Sequence, residues 1–493
     1  MQPAALRSDL LMPQTLREAW FRAHHSQLEE VDVPLSIVEG ALPEGLRGSL
    51  LRAGQGRMAR GGKRYAHPFD GDGMVARFSF SDKGIRYRNR HVRTREFCAE
   101  EAAGRMLFRG FGTNLPGGIG ANALRTVFRN CANTNIVSHA GKLLVLWEGG
   151  LPHTLDPDTL ETLERYDFEG QLLEPLSLRG RLLGRELPFS AHPRLDLVTG
   201  DLYNFGTLMG PRPKLLLYRV DPAGRMDSPR RIDLKHLSLV HDFVLTPHYY
   251  VFLIPSVAFG TLKMVLGLNS PVGSMASAPG ASETVLLVPR DGGAPLQIPA
   301  PPGFFFHFAN GYEDDAGNIV LDGARWQAFP VMSDLSREVD ALVYRGEPPR
   351  LTRFTINPQT GSVQAKLLST YGLEFPSADP RMASVPHRYL WGAGAAPSWE
   401  QPGSCAILKV DTVTGETLKH DLAPDLPGEP LMVPRPGSSR EGDGWLLVTV
   451  YVAALHRTEL LVLDAQRLTL LCRARLPHHL PIGFHGTWIQ AHA

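Results

Sequence analysis

Of the 18 histidines in the chain, four share one kind of setting. His192 stands in Ser190-Ala191-His192-Pro193, His241 in Leu239-Val240-His241-Asp242-Phe243, His307 in Phe304-Phe305-Phe306-His307-Phe308-Ala309-Asn310, and His485 in Gly483-Phe484-His485-Gly486-Thr487-Trp488. Apolar and aromatic neighbours solvate a charged imidazole poorly, so each ring is expected to be neutral. A neutral imidazole is a good ligand for a borderline transition ion. Taken singly, each is more often a hydrogen-bonded core histidine. A metal-bound histidine usually gives its second ring N–H to a carboxylate. Three glutamates in apolar settings are candidates for that partner: Glu148 in Leu146-Trp147-Glu148-Gly149-Gly150, Glu374 in Leu373-Glu374-Phe375-Pro376, and Glu429 in Gly428-Glu429-Pro430. On its own residues Glu429 reads as a surface or salt-bridged side chain.

The intervals between the four histidines are 49, 66 and 178 residues, which match no local metal motif. Ligands so dispersed converge only if separate elements point at a common axis. The chain between them is punctuated by acidic or amide residues that open short Pro/Thr/Gly loops: Asp156-Pro157, Asp196 to Gly200, Asp221 to Gly224, Asn357 to Gly361 and Asp411 to Gly415. Such residues close turns through their side chains, so each reads as a hairpin connection. The flanking strand candidates are Lys142 to Leu146, Val285 to Val288, Ile319 to Leu321, Ala406 to Val410, Trp445 to Val450 and Leu460 to Leu463. Most are continuous apolar runs, as expected of strands buried on both faces. One large all-β unit follows, and a propeller, whose inner strands face a central channel, brings distant ligands together. The turn spacing is uneven, so it gives no blade number. Helix is scarce, the clearest candidate being Gln14 to Glu29.

Composition excludes several classes. With 43% hydrophobic and 20% charged residues over 493, the chain builds a large core and is not disordered. Lys+Arg number 51 and Asp+Glu 50, a net charge of +1, which gives no electrostatic reason to bind nucleic acid. The four cysteines, Cys98, Cys131, Cys405 and Cys472, form no C-x-x-C pair, and a reducing compartment is expected. Charges at Arg7, Asp9, Arg17 and Glu18 interrupt any signal-peptide core, and Tyr249 to Gly260 is too short to span a membrane, so a cytoplasmic protein is expected. Phe259 to Gly280, with Lys263 as its only charge, is either a loop packed over the body or a flap that touches a membrane surface. Val331 to Arg350 is a second, polar insertion. His67 to Met74 carries an Asp/Gly pattern but fails as a calcium loop, because Val75 and Ser81 stand where Gly and a bidentate Glu are needed. It reads as a rigid turn between strands.

From about residue 40 onward the chain resembles the carotenoid cleavage oxygenases, and most closely their bacterial apocarotenoid oxygenase branch. The likeness lies in His67 to Met74, Phe111-Gly112-Thr113 with Pro116-Gly117-Gly118, Ala132-Asn133-Thr134-Asn135, Leu146 to Gly150, the four histidine segments, Glu374-Phe375-Pro376 and Gly428 to Arg435. The resemblance implies a seven-bladed β-propeller with a helical and loop cap, forming one domain over 1–493 on which residues 1–39 pack. It implies one ferrous ion per chain held by His192, His241, His307 and His485, with Glu148, Glu374 and Glu429 on the outer ring nitrogens, and dioxygen as co-substrate. Thr134 matches a threonine whose methyl group crowds one open iron position. Phe69, Phe111, Trp147, Phe306 and Phe375 match substrate-tunnel positions; Leu239 stands where the branch often has Phe, and Trp326 near a position it often gives to Tyr. The implied reaction is oxidative cleavage of a conjugated C=C bond of an apocarotenoid or carotenoid to two carbonyls, expected at the 15,15' bond to give retinal. The partner implied is a lipophilic small molecule, with no protein partner. Three rivals remain: a stilbene cleaver, which the resemblance disfavours because Trp147 replaces that class's phenol-binding lysine; a retinoid isomerohydrolase; and a carotenoid-binding iron protein without turnover.

Overall fold

The computed structural model describes residues 14–175, 180, 184–210, 212–277, 283–330, 347–395 and 405–491. Every turn singled out above joins two paired strands. Asp156 Oδ1 accepts from the backbone N–H of Asp158 and Thr159, and Asp196, Asp221, Asn357 and Asp411 close their turns through the same kind of side-chain acceptor. Each of the six strand candidates lies inside an observed strand.

The continuous apolar runs have a specific cause. Along the strand Gly444–Val452, Trp445 and Leu447 pack into one core with Leu50, Phe78 and Val462, whereas Leu446, Val448 and Val450 pack into another with Trp391, Ile407 and Met432. The strand Glu283–Pro289 divides in the same way, Val285 and Leu287 on one side and Leu286 and Val288 on the other. Successive side chains of a strand point to opposite faces. A sheet with a neighbour on both faces therefore needs both sets apolar, as radially packed blades do.

The blades follow the chain. Three four-stranded sheets occupy the chain between residues 135 and 300, with innermost strands Asn135–His139, Arg194–Leu195 and Val244–Leu245. A seven-stranded sheet from Phe304–Glu313 to Thr417–Asp421 holds two blades joined through the long strand Ser362–Ala378. The last two sheets interlock the ends of the chain: Ser36–Gly40 adds to the edge strand Leu470–Arg475, and Gly486–Gln490 pairs with Gly48–Arg57. This is a seven-bladed propeller, closed by strands from both termini.

The N-terminal helix α1, Gln14–Ala23, is shorter than the expected Gln14 to Glu29. The chain tightens after Ala23: the His24 and His25 amides turn back to Phe21 and Arg22, and His24 Nδ1 donates to the Trp20 carbonyl at 2.7 Å. Gln27 then bonds to the Gly56 carbonyl, which draws the chain onto the propeller. Of the second insertion, residues 331–346 lie outside the described residues, and Arg350 already begins a strand.

Candidate metal centre

The four histidines are placed by equivalent positions in four blades. His192 and His241 stand two and three residues before the innermost strands Arg194–Leu195 and Val244–Leu245, His307 lies within Phe304–Glu313, and His485 immediately precedes Gly486–Gln490. One ligand atom from each lies within 4.8 Å of those of the others, and His192 Nε2 is 3.0 Å from His241 Nε2. Imidazole–metal bonds of about 2.1 Å put neighbouring nitrogens of an octahedron roughly 3 Å apart, so His192 and His241 have the spacing of two ligands of one ion, and the other two rings lie close enough to join them.

Three rings are fixed from behind. His241 Nδ1 bonds Glu148 Oε2 at 2.9 Å, His307 Nδ1 bonds Glu374 Oε2 at 2.7 Å, and His485 Nδ1 bonds Glu429 Oε1 at 2.7 Å. A carboxylate on Nδ1 fixes the proton there and frees the Nε2 lone pair. The carboxylates are themselves held differently. Arg52 donates to Glu429 Oε2 at 2.6 Å and to the Phe484 carbonyl, whereas Glu374 accepts from the Trp326 indole at 2.7 Å and from the Phe375 amide at 2.8 Å. Glu429 is thus salt-bridged, as one of its two readings had it, but it does not lie on the open surface: at 17% exposure it sits between the His485 ring and the Arg52 guanidinium, a setting that its sequence neighbours do not reveal.

Electrostatics favours neutral His192 and His485 and ionised Glu374 and Glu429. Burial, reinforced by the other three imidazoles, pushes His192 well below the usual histidine range, and burial outweighs Glu429 to lower His485. For His241 burial is overcome by Glu148, and the net shift is upward. Burial would raise Glu429, but His485 and Arg52 hold it down at about 2, and His307 lowers Glu374 in the same way. With Arg52, the three carboxylates leave two net negative charges around the quartet, which balance a divalent ion without occupying its ligand positions.

Backbone ties make the quartet rigid. Asp242 accepts from the Phe308 amide at 2.8 Å and from Arg194, so residues adjoining His192, His241 and His307 share one buried carboxylate. His485 is stitched to the opposite wall, its amide donating to the Thr134 carbonyl and its own carbonyl accepting from Ala53. Phe375 has φ of +51°, in the left-handed region a non-glycine residue rarely adopts. It stands at the bulge beside Glu374 and stacks on His307 at 5.1 Å.

A cavity of about 540 Å³ reaches three of the rings, His241, His307 and His485, within the range of small-molecule sites. All seven residues expected in a tunnel line it: Phe69, Phe111, Trp147, Leu239, Phe306, Trp326 and Phe375, together with Thr134, Glu148 and Glu374. Asp70 explains the run His67 to Met74, because its carboxylate takes the Phe111 and Gly112 amides and the Thr113 hydroxyl and so fixes the Phe69–Phe111 pair. Gly149 is required by close approach: a Cβ there would meet the Trp147 ring at 2.8 Å. Sequence reasoning missed Trp20, His24, Phe128, Met264 and Phe484, which also line the cavity, and Arg52 behind Glu429.

The apolar insertion is a short hairpin, Val257–Phe259 with Met275–Ser277, around a helical turn Thr261–Val265. Met264 faces inward at 4% exposure, whereas Leu262 (72%), Leu266 (41%) and Leu268 (50%) face solvent. Buried Arg109 staples it to the cap by donating to the carbonyls of Asn122, Arg125, Met264 and Asn269.

A propeller hub with four converging imidazoles, three backed by carboxylates, defines a site that could hold one metal ion beside a largely apolar chamber. The family model described as retinal pigment epithelial membrane protein, RPE65, matches residues 24–490, and the chain belongs to this carotenoid oxygenase family. It is 37% identical over 490 residues to apocarotenoid-15,15'-oxygenase of Synechocystis sp., covering 96% of each chain. It is 30% identical to resveratrol cleavage oxygenase 1 of Aspergillus fumigatus, covering 86% of this chain and 85% of that one. Among solved structures it is similar to cobalt-substituted Synechocystis apocarotenoid oxygenase, with a TM-score of 0.87, 36% identity, and coverage of 96% of this chain and 99% of that one.

Proposed function

We propose that the chain is a non-haem iron(II) dioxygenase that cleaves one conjugated C=C bond of an apocarotenoid or carotenoid, at the 15,15' position, giving retinal and a second carbonyl product. The observation that carries this reading is the quartet itself, opening on an aromatic-lined chamber. The names and activities of the relatives support it. The donor set suits iron: His192, His241, His307 and His485 would hold a first-row ion of intermediate softness through four neutral nitrogens, fewer donors than an octahedral ion takes. Bound there, a ferrous ion supplies the electrons that make dioxygen reactive towards an alkene.

The chain's own residues orient and exclude. Glu148, Glu374 and Glu429 keep the Nδ1 protons of His241, His307 and His485 in place, so each ring presents an unprotonated Nε2. The Thr134 hydroxyl donates to Asn133, itself held by the Phe69 and Gly71 carbonyls, so it is engaged away from the chamber that Thr134 lines, and its methyl group would crowd a further ligand on an ion held there. Phe69, Phe111, Trp147, Leu239, Phe306, Trp326 and Phe375 hold a polyene by shape, which sets one double bond beside the hub. The reaction balances as alkene plus dioxygen to two aldehydes, with no proton consumed.

Incubating iron-loaded protein with a C30 apocarotenal under air and weighing the products tests this reading. Retinal with a C10 dialdehyde is the expected result. Aromatic aldehydes from a hydroxystilbene, with the apocarotenal untouched, would instead make it a stilbene cleaver, and unchanged bound polyene would make it a carotenoid binder.

Residues 1–493 are read as one propeller domain, supported by the strands that both chain ends contribute to closing sheets. Leu262, Leu266 and Leu268, beside exposed Leu124, form an apolar face where lipophilic substrate is collected from a membrane surface. Replacing the three leucines by serine is expected to abolish liposome co-sedimentation; unaltered binding would remove this role. Among the described residues no helix is long and apolar enough to cross a membrane.

A further inference from the structure

The chamber extends beneath α1, where its lining changes character. Trp20, which packs with Ile482, and His24 line it together with Pro68 and Phe484, and His24 brings the only imidazole in the lining that is not one of the four at the hub. The His24 ring is 3% exposed and packs on Trp20 with centroids 4.2 Å apart. Its Nδ1 lies 2.7 Å from the Trp20 carbonyl, which can only accept, so Nδ1 carries the proton. Burial holds this histidine down at about 4, so the ring is neutral at physiological pH. Nε2 is then a lone-pair acceptor, and among the described residues no hydrogen bond engages it. An acceptor fixed in apolar surroundings discriminates strongly, because a ligand without a donor leaves it unpaired and one with a donor satisfies it.

We propose that the part of the chamber beneath α1 is a hydroxyl-binding subsite, in which His24 Nε2 accepts a hydrogen bond from a hydroxyl on the terpenoid ring of the substrate. The inference rests on the polyene reading above and deepens it. An aldehyde oxygen has no proton to give and is not bound there, so the hydroxylated ring enters first and the aldehyde end stays away from α1. Arg95, Arg165 and Arg185, which also line the chamber, carry donors of the kind a carbonyl needs. His24 is thus a residue that sets specificity and orientation, distinct from the four imidazoles of the hub.

The test compares a C30 apocarotenal bearing a ring hydroxyl with its unhydroxylated counterpart. Binding is read by tryptophan quenching in iron-loaded protein without oxygen, and cleavage is read after air is admitted. One hydrogen bond predicts about 5-fold tighter binding of the hydroxylated ligand to the wild-type protein. His24→Leu is expected to erase that preference while leaving the unhydroxylated ligand's affinity within about 2-fold. His24→Gln, which keeps an acceptor near the position of Nε2, is expected to restore it and to show that α1 remains docked. Equal affinities in the wild type, a preference that survives His24→Leu, or failure to bind either ligand overturns the proposal. If the preference is seen but neither ligand is cleaved, the subsite stands and the oxygenase reading fails.

Discussion

At the scale of single residues, the quartet is a set of neutral donors made effective by what stands behind them. Glu429 is the most strongly held of the three carboxylates, pinned by Arg52 and kept ionised down to about pH 2. Replacing it by Gln keeps the shape but removes the charge, frees the His485 tautomer and strands Arg52. Loss of such a partner typically costs 10- to 100-fold in metal affinity, so Glu429→Gln is expected to weaken iron binding by about that factor in competition with a chelator. Unchanged affinity would mean that the carboxylate only packs. The four histidines were legible as candidates because His192, His241, His307 and His485 each sit in a distinctive apolar setting, and the family resemblance picked them out as ligands. Arg52 was not, because nothing near it in sequence distinguishes it from a surface arginine; only the pairing of Gly48–Arg57 with Gly486–Gln490 brings it to Glu429.

Elements act by fixing segments far apart in sequence. Arg109 is 1% exposed and holds four carbonyls, two from its own cap segment and two from the apolar hairpin. Arg109→Leu leaves those acceptors unpaired, at about 1–3 kcal/mol for a buried group left without its partner. We expect faster proteolysis within 259–277 with the propeller intact; an unchanged cleavage pattern would show that the Leu124–Val265 and Val272–Phe111 backbone bonds and the buried Met264 hold the hairpin without Arg109. Sequence reasoning recovered the strands and hairpin turns, because Asx-closed turns and apolar runs are local signals. It overran α1 by six residues, since Gln27 and Glu29 are as compatible with helix as Arg17 and Glu18. The stop comes from the Gly56 carbonyl, a partner distant in sequence.

Across the whole molecule, several buried histidines must stay neutral for the fold to close. Burial holds His24, His153 and His479 down at about 4. Each folded value lies below the unfolded one, near 6.5, so the unfolded chain takes up protons first as pH falls. Stability from these groups is complete above pH 6.5 and is lost progressively towards pH 4. The thermal midpoint of the metal-free protein is expected to fall steadily over that window, and to fall less in His153→Phe. A flat profile would show that these rings are solvated in the folded state. The blade number and the closing exchange of strands between the chain ends were not readable from turn spacing, because insertions such as 257–277 obscure any repeat period.

The central claim is that one ion sits at the hub and is bound by all four imidazoles. Anomalous diffraction at the iron edge from crystals of the iron-loaded protein addresses it most directly. The account predicts one peak at about 2.1 Å from the Nε2 atoms of His192, His241, His307 and His485. No peak, or a peak with any one of the four rings turned away from it, would contradict it.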